Sequence, residues 1–496
     1  MTGKPRTDRL TVTPHGIEGI FSSHLADGFR LRLVACHEDE SEFRIVYVLL
    51  RSSDDRRVEL VLHVPRDEPR FPSLARLDYS VSRFEREVWD LYGIVPVDHP
   101  LPRRIIRHGH WPADWHPMLR DAGPTPEFTE DLGSFPFLSV EGDGVYEIPV
   151  GPIHAGLIEP GHFRFSVVGE TILRLKARLW FVHRGVEQLF EGRRPADALQ
   201  IAERISGDTA VGHTLAFAMA VEDAAGIDVG HDDRLVRALL LELERMHNHT
   251  ADIGAMANDV GYGLMNAHAL RIRESLLRIN EQVTGHRLLR GGIAIGTARV
   301  LALPDPQAIT ALAEEVRELA ALTLSNATVR DRFGGTSVLD ADAVRRLGAL
   351  GYVARASGVA IDARSDHPFV DLGDAFEVVV EKGGDVMSRY MLRVREIAVS
   401  ARIIDDIVRR LAGSIGSGAA VDPDRAGAGL GFVEGWRGLI SNRVELGADG
   451  RLTRTKIVDP SFFNWTALPV ALADTIVPDF PLTNKSFNQS YAGNDL

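Results

Sequence analysis

The first part of the chain alternates apolar and polar residues over short runs. Residues 28–34 and 58–64 alternate as half-buried strands do, and residues 43–50 form a third run of the β type. Residues 81–91 show the apolar spacing of a helix. This succession of short elements predicts an α+β domain over residues 1–121.

The pattern changes after residue 121. Residues 122–150 are rich in proline, glycine and acidic residues, which indicates a linker. Beyond the linker, apolar residues recur at helical spacing, which predicts a mostly α-helical large domain over residues 151–496. Small β elements are predicted around Val433 and over residues 452–458. The predicted helical windows are residues 172–189, 196–205, 212–225, 234–256, 271–284, 306–324 and 385–411.

Composition narrows the class of protein. The 496 residues are 45% hydrophobic and 25% charged, with a net charge of −13, as expected of a soluble globular protein with two or more domains. The acidic balance argues against a nucleic-acid partner. No apolar run reaches the ~18–20 residues of a membrane span, and no secretory signal is evident. We therefore expect the chain to reach a membrane only through partners.

Two features of the sequence exclude disulfide, zinc and nicotinamide sites. Cys36 is the only cysteine, which excludes an intrachain disulfide and a zinc site built from paired cysteines. It lies in a predicted strand, where we expect the thiol to pack as a small hydrophobe. The chain also shows no Gly-x-Gly-x-x-Gly at a strand-to-helix turn, so no nicotinamide site is predicted.

Residues 84–121 carry charged and aromatic motifs in a set order: Glu-Arg-Glu, Asp-x-Tyr-Gly-Ile, His-Pro, Arg-Arg-Ile and His-Pro-x-x-Arg-Asp. A charged, exposed helix is one interpretation of the first of these motifs. The complete order resembles the thirty-kilodalton subunit of respiratory complex I, in which this segment docks against the large subunit. The resemblance implies a role in assembly and not in catalysis.

The large domain contains loops of histidine, glutamate, arginine and glycine. In order, these are Gly-Pro-Ile-His (151–154), Arg-Gly-Val-Glu (184–187), Glu-Arg-Ile-Ser-Gly-Asp-Thr (203–209), Glu-Arg-Met-His-Asn-His (244–249) and Glu-Gly-Trp-Arg-Gly (434–438). Together they resemble the forty-nine-kilodalton subunit of complex I and the large subunit of membrane-bound nickel–iron hydrogenases. The fused order, with the small domain first, is similar to that of the formate hydrogenlyase and hydrogenase-4 large subunits.

The resemblance also shows what this sequence lacks. A nickel–iron centre of this family is held by thiolates from two Cys-x-x-Cys pairs, because soft sulfur suits nickel. The matching positions here are Ser206, Thr209, Ser461 and Asn464. We therefore expect no nickel–iron centre and no firmly bound metal or cofactor. A weaker alternative is a different metal held by Ser206, Thr209, Asp208, His213 and Asn464, since only Asp208 brings negative charge.

Complex I places a quinone head group in the corresponding cavity, where a tyrosine and a histidine–aspartate pair contact it. His162 best matches the histidine, and either Asp252 or Asp259 matches the aspartate, but the tyrosine position is Gly207. A His–Asp pair is a suitable proton relay because imidazole titrates near neutral pH; the alternative is two unrelated surface groups. The other residues expected to line the cavity are His154, Glu159, Ser206, Gly207, Thr209 and His213.

A further set of residues matches a partner surface. The resemblance assigns His183, Arg184, Glu187 and Arg437 to an interface with a small iron–sulfur subunit that carries a 4Fe-4S cluster. A structural ion pair within the helical domain is the alternative for this group. The resemblance also implies antiporter-like and other integral membrane subunits as partners, which would hold the chain at the cytoplasmic face of the cell membrane.

These observations favour the large subunit of a membrane-associated oxidoreductase that takes part in electron transfer coupled to proton movement. A quinone or another small redox partner would occupy its cavity. Two alternatives stay open: a true nickel–iron hydrogenase component, which the missing cysteines disfavour, and a non-catalytic scaffold of such a complex.

Overall fold

The computed structural model describes residues 7–128, 135–156, 158–416 and 418–496. Its N-terminal part contains a four-stranded sheet of order β1-β4-β3-β2, in which β1 is parallel to β4 and the other neighbours are antiparallel. The predicted strands and helix are confirmed. The elements are β1 (Thr7–Val12), α1 (Ile17–Ala26), β2 (Arg30–Glu38), β3 (Glu42–Arg51), β4 (Arg56–Pro65), β5 (Arg70–Pro72), α2 (Tyr79–Tyr92) and β6 (Val95–Val97).

Helix α2 carries the charged motif of the N-terminal part. It begins where the Asp78 side chain accepts a hydrogen bond from the Ser80 backbone, and it ends at Gly93, whose φ of 75° suits glycine. The interpretation of an exposed charged helix is wrong, because Glu85 and Asp90 are buried. Asp90 accepts hydrogen bonds from three consecutive backbone N–H groups of residues 105–107. These acids therefore organise the chain that follows α2.

The second part begins with a three-stranded antiparallel sheet and continues as a helical bundle. The sheet contains β7 (Val145–Val150), β8 (His162–Val168) and β9 (Thr171–Arg178). The following elements are α3 (Val186–Phe190), α4 (Pro195–Ala202), α5 (Ala210–Ala225), α6 (His231–Asp259), α7 (Gly263–Thr284), β10 (Ile293–Ala294), β11 (Thr297–Ala298), α8 (Pro306–Ser325), α9 (Ala327–Phe333), α10 (Ala341–Leu347), α11 (Gly351–Ala356), α12 (Ala363–Asp366) and α13 (Val386–Leu411).

The chain ends in a second small sheet and a run of short helices. These elements are β12 (Gly427–Gly435), β13 (Gly438–Leu446), β14 (Leu452–Val458), α14 (Ser461–Asn464), α15 (Ala467–Ala471), α16 (Phe480–Phe487) and α17 (Tyr491–Asn494). The predicted fold class is confirmed: an α+β N-terminal part precedes a mostly helical part with small sheets. No helix of the described residues has the length and apolar character needed to cross a membrane.

Two packing arrangements build the bundle. Helix α6 packs against α7 and α13, and helix α5 packs against strand β12. The approach of α5 to β12 is close because glycines face the helix. A Cβ atom added at Gly431 would lie 1.9 Å from the Ala216 carbonyl oxygen, and one added at Gly429 would lie 2.2 Å from the Ala224 nitrogen. The second small sheet is thus fastened to the bundle by backbone-to-backbone contact.

The two parts of the chain share a core. Buried residues of β2, β3 and α2 pack with Leu430, Phe432 and Phe462 of the C-terminal part. Arg443 of β13 also pairs with Glu59 of β4 at 2.7 Å. Cys36 is buried in this core, and burial raises the pKa of its thiol. The predicted linker over residues 122–150 includes β7, and its residues 129–134 lie outside the described residues.

One predicted helix is wrong. Residues 172–189 form strand β9, an irregular connection and the short helix α3. Ile172 and Leu175 have helical spacing, but both are buried on a strand that pairs with β8. Pairing with a neighbouring strand overrides a weak local preference, because it satisfies the backbone groups and buries the same side chains.

Candidate functional site

A cavity of about 970 Å³ opens between the β7–β9 sheet, the turn that joins β12 to β13 and the end of the helical bundle. Its walls come from the β7–β8 connection, the loop before α5, the end of α6 and the segment from α16 to α17. Both apolar and polar side chains line it, which is typical of ligand sites. The charged and hydrogen-bonding side chains in its lining are His154, Glu159, Ser206, Asp208, Asp259, Arg437, Asn484, Lys485, Asn488, Gln489, Ser490 and Tyr491.

An ion pair occupies the loop before α5. Both terminal nitrogens of Arg437 donate to Asp208, each at 2.7 Å. The hydroxyls of Ser206 and Thr209 donate to the same carboxylate at 2.9 and 3.0 Å. Burial alone would raise the pKa of Asp208, but the adjacent Arg437 guanidinium lowers it below its ordinary value. The carboxylate is therefore ionised and saturated with donors at neutral pH.

The C-terminal segment joins this loop to the start of α14. The hydroxyls of Ser206 and Ser490 are 2.8 Å apart, and the Ser490 backbone donates to the Ser461 hydroxyl at 2.9 Å. Asn464 bonds both the nitrogen and the carbonyl of Leu350 through its amide. All four positions at which the resemblance places thiolates are thus bound to the protein itself.

His213 lies behind this network, away from the cavity lining. Its Nε2 atom is 2.9 Å from the Asp459 carboxylate, and both groups are buried. The other carboxylate oxygen of Asp459 accepts from the Ser461 backbone at 2.7 Å. His213 was expected to line the cavity, but it supports the start of α14 from within. Thr209, another expected cavity residue, is buried beneath Asp208 and Trp436.

The two histidines of the β7–β8 connection have different positions. His154 lines the cavity, and its Nε2 atom is 2.7 Å from the Gly161 carbonyl. His162 begins β8 with Nδ1 3.1 Å from the Gly151 carbonyl, and its ring packs against Phe137. The two rings therefore brace opposite ends of the same connection, and only His154 faces the cavity.

The two candidate aspartates also differ. Asp252 is buried, pairs with Arg393 at 3.0 Å and accepts a hydrogen bond from the Asn488 amide at 2.6 Å. Asp259 lines the cavity at the end of α6. Burial raises the pKa of Asp259, and only the charge of Lys485 opposes that rise. Within the described ranges, no hydrogen bond joins either aspartate to His162, so the expected His–Asp pair is not formed.

Glu159 and Tyr491 close one side of the cavity. Glu159 accepts a hydrogen bond from the Ala492 backbone at 2.9 Å, which ties the β7–β8 connection to α17. The Tyr491 ring packs edge-on against Trp465, and burial raises the pKa of its hydroxyl to about 12. This hydroxyl is shielded from solvent, and the neighbouring Asn484 side chain opposes the rise in its pKa. The hydroxyl is therefore protonated at neutral pH.

The predicted interface residues divide into two groups. Glu187 is buried between Arg454 at 2.7 Å and Lys456 at 3.0 Å, as in the alternative of a structural ion pair. Arg437 is also buried, so neither Glu187 nor Arg437 can contact a partner subunit directly. Arg184 is partly exposed and donates to two backbone carbonyls beside a groove of about 350 Å³. His183 lies 3.4 Å from Asp495.

Sequence patterns of three protein families match the chain. Respiratory-chain NADH dehydrogenase, 30 Kd subunit, matches residues 11–127, and the 49 Kd subunit matches residues 252–426. Nickel-dependent hydrogenase matches residues 184–252. Formate hydrogenlyase subunit 5 of Escherichia coli (strain K12) is 32% identical, over 91% of this chain and 82% of that protein. The chain belongs to the formate hydrogenlyase and hydrogenase-4 large-subunit family. Hydrogenase-4 component G of the same organism is 31% identical, over 99% of this chain and 87% of its own length.

A solved structure shares the fold of this large-subunit family. It is the membrane-bound sulfane sulfur reductase, an archaeal respiratory membrane complex, of which one chain is 23% identical with a TM-score of 0.64. The match covers 71% of this chain and 99% of that chain. At this identity the likeness describes the fold alone.

The donor set of this large subunit does not fit a nickel–iron centre. Hydroxyl and amide groups replace the thiolates, and the one thiol of the chain, Cys36, is buried in the N-terminal part. The replacing groups are neutral and already hydrogen-bonded, so they offer neither the softness nor the charge that nickel requires. Within the described residues no group of three His, Cys, Asp or Glu side chains is arranged to hold a metal ion.

Sequence reasoning missed the contribution of the last twenty residues to the site. Ser490, Tyr491 and Lys485 lie far along the chain from the motifs they join, and none of them was expected at the site. Asp208 was the one signal in the sequence that the loop is held by an ion pair. An acid inside a metal-ligand loop is a charge that requires a partner, and that partner is Arg437.

Proposed function

We propose that this chain is the large subunit of a membrane-associated, multi-subunit oxidoreductase whose cavity binds a small redox partner of the quinone type and holds no nickel–iron centre. The observation that carries the proposal is the Arg437–Asp208 pair. A guanidinium and a carboxylate, with their hydroxyl donors, fill the volume in which the metal thiolates would lie. The cavity beside them stays open.

The polar groups of the cavity suit a ligand with carbonyl oxygens. Reduction of a quinone carbonyl to a hydroxyl consumes a proton with each electron, so donors must face the carbonyl positions. Tyr491 offers a protonated hydroxyl, and Asp259 is a carboxyl whose pKa is raised by burial. His154 lies in the same wall. We assign proton delivery to Asp259 and His154, and we assign to His162 the positioning of the connection that carries His154.

The expected partners follow from the family. A small subunit with a 4Fe-4S cluster would supply electrons on the side of His183 and Arg184, where the exposed groove lies. Antiporter-like and other integral membrane subunits would hold the chain at the cytoplasmic face of the membrane. The name of formate hydrogenlyase subunit 5 supports a multi-subunit assembly. The alternative function is that of a scaffold subunit, in which the cavity has no ligand.

One pair of measurements on the purified complex tests the proposal. We expect substoichiometric nickel by elemental analysis, and binding of a quinone analogue that weakens in Asp259→Asn. Stoichiometric nickel would show that the complex is a nickel–iron hydrogenase. A complex without nickel that also fails to bind the analogue would favour the scaffold.

A further inference from the structure

A cluster of buried charges lies beneath the cavity, outside the residues described so far. It joins helices α6, α11, α12 and α13 to strand β12, and its members are shielded from solvent. The cluster contains Glu242, Arg245, His249, Arg355, Asp362, Arg364, Glu396 and Glu434.

The contacts within this cluster are short. Arg355 donates to Glu396 and to Glu434, each at 2.7 Å. Arg364 donates to Asp362 at 2.7 Å and to Glu242 at 3.1 Å. Arg245 completes the arrangement from α6, at 3.1 Å from Glu242 and 3.7 Å from Glu396. Each guanidinium therefore bridges two carboxylates, and the whole behaves as one electrostatic unit.

The charges of the cluster do not balance. Four carboxyl groups face three guanidinium groups, which leaves one negative charge in excess if every acid is ionised. An uncompensated charge in a dry interior is costly, and a buried acid avoids that cost by keeping its proton. The other charged groups that face the cluster do not remove the excess. Arg393 is already paired with Asp252 at 3.0 Å, and the buried Arg32 interacts more strongly with Asp78 and Asp366 than with Glu434.

His249 does not supply the missing positive charge in this arrangement. Its Nε2 atom lies 2.7 Å from Glu396, and its Nδ1 atom is buried with no hydrogen-bond partner within the described ranges. A second N–H there would be a buried donor without an acceptor, so the neutral tautomer fits. Burial, with Glu396 opposing, lowers the pKa of His249 to about 4.

Glu434 is the acid whose surroundings favour the protonated form. It accepts from Arg355 and from the Ala363 backbone, and the same Arg355 nitrogen lies 3.4 Å from Asp362. Burial, followed by the charge of Asp362, raises the pKa of Glu434 to about 7. The other three acids of the cluster have their pKa lowered by the guanidinium groups against the effect of burial.

The cluster also reaches the cavity wall. The His249 ring packs edge-on against Trp436 and Tyr352. The Trp436 indole donates to the Asp208 carbonyl at 3.0 Å, and Arg437 follows Trp436 in the chain. The His249 ring is thus linked to the loop of Asp208 through Trp436.

We propose that this cluster is a proton-holding site, which keeps one exchangeable proton on Glu434 in the folded protein up to about neutral pH. No bond other than the O–H bond of that proton changes, and the proton comes from solvent. The proton count does not depend on the quinone proposal. The cavity matters to this proposal only because a change of charge there would shift the protonation of Glu434.

The test compares two isosteric variants of the full-length chain, Glu434→Gln and Glu396→Gln. A glutamine imitates a protonated glutamate, so Glu434→Gln should unfold no more readily than the wild type at pH 5. Glu396→Gln removes a carboxylate that balances Arg355 and should be strongly destabilised. The ratio of the wild-type to the Glu434→Gln unfolding constant should rise about tenfold per pH unit from the ordinary carboxyl pKa to about 7, then level off.

The sign follows from linkage: a group whose pKa is raised on folding stabilises below its unfolded pKa and loses that effect as the pH rises through the folded value. A ratio that stays flat from pH 5 to 7.5 would overturn the proposal. So would a Glu434→Gln variant that fails to fold, because that result means an ionised, paired carboxylate. Infrared spectroscopy gives an independent measure: the wild type at pH 6 should show a protonated-carboxyl stretch that Glu434→Gln lacks.

Discussion

Arg437 and Asp208 form a two-pronged ion pair, with both nitrogen–oxygen distances at 2.7 Å, in the loop where relatives of this chain are expected to hold a metal. The pair gives the loop a charge balance of its own. It also leaves the hydroxyls of Ser206 and Thr209 as donors to a carboxylate, a role that a metal-binding thiolate cannot fill.

Removal of one partner of this pair should cost stability. Arg437→Met leaves the Asp208 carboxylate at the cavity wall without its counter-charge, and we expect a loss of about 1–3 kcal/mol in the free energy of unfolding. The double variant Arg437→Met/Asp208→Asn should recover part of that loss. Denaturant titration of the wild type, the two single variants and the double variant measures this coupling. Strictly additive effects of the two substitutions would contradict it.

The two candidate aspartates should respond differently to the same change. Asp252→Asn breaks a buried pair with Arg393, and we expect a loss of about 3 kcal/mol in the free energy of unfolding. Asp259→Asn should leave stability nearly unchanged and slow reduction of the cavity ligand. Because burial raises the pKa of Asp259, the wild-type rate should fall as the pH rises through that value, and the variant should lose this dependence. Equal stability losses in both variants would refute the assignment.

The Tyr491 hydroxyl should contribute to binding of a carbonyl ligand. Tyr491→Phe keeps the ring packed on Trp465 and removes one donor, so a quinone analogue should bind about tenfold more weakly. Tyr390→Phe is the matched control, because Tyr390 is also buried but packs against Phe333 outside the cavity lining. Calorimetric titration of the purified complex compares them. An equal effect of the two substitutions would show that Tyr491 has no specific role.

The glycines of β12 should tolerate no side chain. Gly431→Ala places a methyl group against the Ala216 carbonyl of α5, and we expect a loss of about 2 kcal/mol or more in the free energy of unfolding. Gly207→Ala is the control, because its added methyl group would meet nothing within 4 Å. Thermal unfolding of both variants is sufficient. A stable Gly431→Ala chain would mean that α5 can move away from β12 without loss.

Much of the architecture, and the family to which the chain belongs, could be predicted from the sequence alone. The long helices α5, α6, α8 and α13 follow from their apolar spacing, although α8 buries one face and α5 is buried on nearly all sides. The loss of the metal thiolates follows from a simple count, since one cysteine cannot supply four ligands. The family follows from motifs whose order survives even where single residues have changed.

The tertiary structure decided which residues share the site. Sequence matching favoured His162, but the strand geometry of β8 and the turn before it direct His154 to the cavity. Residues 172–178 form part of strand β9 because a neighbouring strand is available for pairing. Ser206 meets Ser490 across 284 positions of the chain. Local periodicity encodes which face of an element is buried, but contacts between distant segments depend on how the whole core packs, and only the fold determines them.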